Sequence, residues 1–158
     1  MKKVETLLLK VNIFKYLLFF ILLNISIMIT IGIINYLFGV EAANRKSDNI
    51  DIIYFIKLVV IAPIIETFFF QFLPIEFGKL FTKKKAAIIL ITGTIFGFLH
   101  YFNDYLVRDF ITTSIFGYLY AYVYFLTKRR DDIKPIVALI IIHSLYNLFV
   151  FALKVYYK

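Results

Sequence analysis

The chain has 158 residues, 62% of them hydrophobic, with a mean hydropathy of +0.86 and a formal net charge of +8. A soluble domain of this length is nearer half apolar, so the composition speaks for membrane-spanning helices. The absence of cysteine excludes disulfides, thiolate metal sites and thiol nucleophiles. The positive charge does not argue for nucleic acid as a partner, because the basic residues lie beside apolar runs, the pattern of loops at an anionic cytoplasmic leaflet.

In chain order, an N-terminal arm carrying Lys2, Lys3, Lys10 and Lys15 precedes a first apolar run over residues 16–40. That run is too long for a signal-peptide core. Only "VEAA" at its end resembles a cleavage site, so it is expected to remain as a span. Four more runs follow, over 52–74, 86–102, 110–127 and 135–155. Each falls within or at the edge of the ~17–25 residues a spanning helix needs. No alternating strand pattern occurs, and an open sheet is not viable in lipid. The expected fold is an all-α integral membrane protein, a bundle of about five transmembrane helices. Residues 1–51 form an N-terminal arm, first helix and loop, and 52–158 form the core. Lys and Arg counts in successive loops run 4, 3, 4, 1, 4, 2. The positive-inside rule then places the N-terminus in the cytoplasm and the C-terminus outside, in the cell membrane.

Polar residues within the runs carry the functional signal. Asn24, in a first span with little else that is polar, is either an interhelical hydrogen-bond partner or a tolerated amide, and Lys57 reads as a lysine snorkelling to an interface. The second span holds Glu66, Thr67 and Gln71 in "PIIETFFFQ"; the third holds His100 in "GTIFGFLH"; the fifth holds His143 and Asn147 in "HSLYN". A carboxylate at the centre of a span costs roughly 2.5–3.5 kcal/mol on insertion scales, so Glu66 calls for a partner or a task. A single buried histidine is ordinarily a core residue. Here both histidines of the chain lie in spans, beside a buried glutamate on a third span.

Spacing adds to this. His143 and Asn147 are four apart and share a helix face, as do Phe96 and His100. Pro63 lacks the donor for the carbonyl of Val59 and is expected to kink the helix just ahead of Glu66. Gly93 and Gly97 form a small-residue face that allows close helix packing. Counted from the expected span ends, Glu66 lies a little inside the midplane and His100 nearer the outer end. At ~1.5 Å per residue that is an offset of roughly 10 Å.

"APIIETFFFQ", "FGFLH" and "HSLYN", in this order in successive apolar spans, resemble the CAAX protease and bacteriocin-processing (CPBP, or Abi) family of intramembrane proteases. "FGYLYAYVY" and "KPIVALIIIHSLYN" add to the likeness, which covers about residues 52–153. The family's first motif is usually a Glu-Glu pair followed by three residues and then Arg. This chain keeps Glu66 and has Thr67 and Gln71 in the other two places.

The resemblance implies that Glu66 activates a water, assisted by His100. It further implies that His143 and Asn147 stabilise the oxyanion, with Pro63, Thr67, Gln71 and Phe96 supporting the site. A carboxylate in a desolvated bundle is a stronger base than in water, and preorganised donors act most strongly in a dry site. Two His and a Glu are also zinc-ligand types, but no H-E-x-x-H helix is present. The resemblance implies hydrolysis without metal or other cofactor. The implied partners are the bilayer and a membrane-associated peptide or protein substrate, CAAX-type or otherwise lipidated. The altered first motif keeps a second reading open, a bacteriocin self-immunity or scaffold protein without essential catalysis. A proton-coupled transporter has the right residue types, but five spans lack the paired halves of many transporters. Loss of Arg and Glu together exchanges an ion pair for an expected hydroxyl–amide contact between Thr67 and Gln71.

Overall fold

The computed structural model describes residues 2–39, 50–104 and 106–156. They form α1 (Lys2–Lys10), α2 (Ile13–Leu37), α3 (Ile52–Phe81), α4 (Lys85–Asp104), α5 (Val107–Thr127) and α6 (Pro135–Tyr156), with no strand among them. The five helices from α2 to α6 are each long and apolar enough to cross a membrane. Large apolar side chains such as Leu18, Leu22, Ile29 and Ile33 point outward along α2, as lipid contact requires. The chain is an all-α membrane bundle. The N-terminal arm, read from sequence only as a basic segment, forms the short helix α1. The expected ends of the spans hold to within a few residues except in α3, which continues past Pro74 to Phe81.

The reason lies in how α3 accommodates its two prolines. Two residues before each proline, the helix ends a wider π turn, over Lys57–Ile61 and Phe68–Phe72. The amide of Ala62 bonds back to Lys57 O and that of Leu73 to Phe68 O. A proline supplies no N–H and crowds the carbonyl a turn earlier, and one extra residue in that turn absorbs the clash. The helix thus bulges at each proline and does not stop there.

α4 and α5 form the tightest pair, an antiparallel hairpin in which backbone meets backbone. A Cβ at Gly93 would lie 2.7 Å from the main-chain nitrogen of Tyr118, and one at Gly97 would lie 2.8 Å from Phe110 O. The Gly93–Gly97 face therefore serves packing. Asn24, fully buried, donates from Nδ2 to Phe20 O of its own helix at 2.7 Å. Of the two readings open from sequence, that is the tolerated amide, bonded back onto its own turn.

Charge divides the ends of the bundle. Arg130, stacked on the Tyr16 ring at 4.6 Å, donates to Leu8 O at 2.7 Å and Val11 O at 2.9 Å. Arg129 pairs with Glu5 at 3.0 Å, and Tyr124 donates to Glu76. These contacts gather α1, the α3–α4 link and the α5–α6 link at one end. Among the described residues that end holds twelve Lys and Arg against four acids. The other end holds Lys57, Arg108 and Lys154 against Asp51, Glu66, Asp104 and Asp109, a net charge of −1.

Candidate active site

Four helices contribute to a cavity of about 310 Å3 towards the end opposite the basic one. Glu66 and Leu58 reach it from α3, Phe96 and His100 from α4, Asp109 and Thr113 from α5, and His143 and Asn147 from α6. Glu66 Oε2 lies 3.7 Å from His100 Nε2 and 3.7 Å from His143 Nε2. The depth offset expected between Glu66 and His100 is thus absent. From Glu66 back to the start of α3 there are fourteen residues, but from His100 to the end of α4 only four. α3 therefore extends well past the tip of the α4–α5 hairpin at this end. It packs there against α6, where the Tyr54 and Phe151 rings lie 6.2 Å apart. Depth counted from helix ends misjudges a site placed beneath such a step.

The hydrogen bonds assign the imidazole tautomers. His100 Nδ1 lies 3.0 Å from Phe96 O, a pure acceptor, so Nδ1 carries the proton and donates. Neutral His100 then presents the lone pair of Nε2 to the cavity. His143 is buried, and its Nδ1 has no partner among the described residues. Its proton is best placed on Nε2, facing the Glu66 carboxylate. The rings of Phe96 and Tyr120 pack against His143, with centroids 6.2 Å and 5.2 Å away, and fix its plane. The centre thus brings together a carboxylate, a ring nitrogen free to accept and a ring N–H. The two gaps of 3.7 Å are too long for direct hydrogen bonds.

Asn147 Nδ2 donates to Leu58 O at 2.8 Å, which ties α6 to α3 beside the cavity and leaves the second amide hydrogen uncommitted. Thr67 and Gln71, expected to touch each other, do not hydrogen-bond. Thr67 Oγ1 and both amide atoms of Gln71 have no partner among the described residues, and both side chains are buried. The π turn over Phe68–Phe72 explains this. With more than four residues per turn, positions four apart no longer stack on one face.

The residues that sequence reasoning missed come mainly from α5. Asp109, Thr112, Thr113, Phe116 and Tyr120 line the cavity at spacings of three and four, a single helical stripe. The stripe was readable in "DFITTSIFGYLY", but Asp109 stood outside the expected span.

The profile of the Rce1-like family, described as type II CAAX prenyl endopeptidase, matches residues 48–149. This chain belongs to that family. No curated protein and no solved structure matches it. The Rce1-like match spans every residue of the Glu66, His100, His143 and Asn147 cluster, leaving α1 and α2 outside. Among the described residues no group of three metal-ligating side chains is arranged to hold a metal ion.

Proposed function

We propose that this Rce1-like chain is an intramembrane endopeptidase that cleaves membrane-anchored or lipidated, CAAX-type peptides with a water activated by Glu66. The single observation that carries this reading is the equal approach of Glu66 Oε2 to two imidazole Nε2 atoms, 3.7 Å each, inside one cavity. A water there donates to Glu66 and to the bare Nε2 of His100 and accepts from His143. As its oxygen attacks the peptide carbonyl carbon, one proton passes to Glu66. The carbonyl oxygen becomes an oxyanion that accepts from His143 Nε2–H and the second Asn147 N–H. Collapse breaks the C–N bond, and the proton on Glu66 goes to the leaving amine nitrogen.

The charge separation supports an N-terminus in the cytoplasm, with the basic end facing the cytoplasmic leaflet of the cell membrane. The cavity then opens towards the opposite side, and the peptide is presented from there. Purified protein in detergent, given a lipidated peptide with and without EDTA, tests the chemistry. Equal cleavage in both is expected. Activity lost to the chelator and restored by zinc contradicts a metal-free glutamate mechanism.

A second reading, bacteriocin self-immunity or a scaffold of the same fold, is favoured by one observation. The motif places taken in the family by an acid and an arginine hold Thr67 and Gln71, with no polar partner described for either. Unchanged biological protection by a folded Glu66→Gln protein would select it.

A further inference from the structure

A second cavity, also about 310 Å3, lies at the basic end between the last turns of α3 and α5 and the first turn of α4. Five cationic side chains line it, Lys79, Lys83, Lys85, Lys128 and Arg129, and no acid does. Two of the five are neutralised from outside its walls, Lys79 by Glu76 and Arg129 by Glu5. Lys83 and Lys85 form no ion pair with an acid among the described residues, and Lys128 feels only the charge of Glu76, which Lys79 already engages. The ammonium groups of Lys79 and Lys85 sit 5.4 Å and 5.9 Å from the centroid of one ring, that of Phe125. Like charges are thus held together on a rigid apolar wall, where a bound anion relieves their repulsion. The cavity also lies at the start of α4, a twenty-residue helix whose N-terminal dipole adds positive potential.

We propose that this cavity binds the phosphate of an anionic phospholipid headgroup. Phe77, Leu80 and Phe81, on the same turns of α3 as Lys79, are 63%, 76% and 75% exposed. They offer a bed for acyl chains, which a free phosphate would not use. Basic pockets between helices at a membrane surface recognise such headgroups by charge. None of the lining residues belongs to the Glu66 cavity, so the proposal stands or falls independently of the catalytic reading.

The test is native mass spectrometry of the full chain, released from mixed phosphatidylglycerol and phosphatidylcholine micelles. A surplus of lysine charge over the single Glu76 carboxylate at a surface predicts retention of phosphatidylglycerol about tenfold or more over phosphatidylcholine. The variant Lys83→Gln/Lys85→Gln/Lys128→Gln is expected to lose that preference. The charge-matched variant Lys10→Gln/Lys15→Gln/Lys134→Gln, altered at exposed positions of the same end, is expected to keep it. Lys128→Gln alone, with helicity checked by circular dichroism, serves if the triple variant misfolds, and is expected to weaken the preference. No preference in the wild type, equal loss in both triple variants, or no loss in Lys128→Gln where it stands in overturns the site. Full competition by millimolar inorganic phosphate overturns its assignment to lipid.

Discussion

Asn147 Nδ2 donates to the main-chain oxygen of Leu58 at 2.8 Å, and that oxygen is available because of a proline five residues on. In the π turn before Pro63, the amide of Ala62 bonds to Lys57 O and so leaves Leu58 O. The next amide in that register belongs to residue 63, which has no hydrogen. A carbonyl facing a low-dielectric interior needs a donor, and α6 supplies one. The helix irregularity near Glu66 and the asparagine of the last motif are therefore two halves of one interaction. It draws α3 and α6 together at the cavity wall.

This relationship is testable as a coupling. Asn147→Ala leaves Leu58 O unsatisfied and is expected to cost ~1–3 kcal/mol of stability. In a Pro63→Ala background, residue 63 regains an amide and the same substitution is expected to cost about 1 kcal/mol less. A double-mutant cycle read by thermal unfolding in detergent measures it. Additive costs would show that the proline and the asparagine are independent.

The buried Gln71 leads to a less usual expectation. Its amide has no hydrogen-bond partner among the described residues, yet it is fully buried. Replacing an unsatisfied polar group by an apolar one of similar shape is nearly neutral or stabilising, with unmet desolvation worth ~1–3 kcal/mol. Gln71→Leu is therefore expected to hold or raise the unfolding midpoint. Gln71→Ala and Thr67→Ala are expected to lower it modestly by leaving space, and all three to keep cleavage. A midpoint that falls as far for Gln71→Leu as for Gln71→Ala would mean that the amide has a partner the helices alone do not supply.

Orientation has a direct assay, because the chain has no cysteine of its own. Val107→Cys, 65% exposed beside the α4–α5 turn, is expected to react with a membrane-impermeant maleimide in intact cells. Lys84→Cys, exposed at the basic end, is expected to react only after permeabilisation. The reverse pattern would place the Glu66 cavity on the cytoplasmic side.

The helical class, the five spans and the residues around Glu66 were legible because their signals are local. Apolar runs reveal spans, and ionisable residues inside them stand out. The length of α3 was not legible. Pro74 reads as a stop, and only the π turn ahead of it lets the helix continue to Phe81. The same turn defeated the expected Thr67–Gln71 contact, since spacing rules assume 3.6 residues per turn. Asp109 escaped notice because a polar residue next to a loop is ordinarily solvated. It joins the cavity because the α4–α5 tip stops short of the ends of α3 and α6.

The central claim is that Glu66 activates the attacking water, and one comparison tests it most directly. Wild type and Glu66→Gln are purified in the same detergent, matched for unfolding midpoint and monodispersity, and assayed on one lipidated peptide. Loss of a catalytic base of this kind is expected to lower kcat by at least ~100-fold. A folded Glu66→Gln protein is predicted to bind the peptide and leave it uncut. Cleavage at the wild-type rate by that protein would contradict the account.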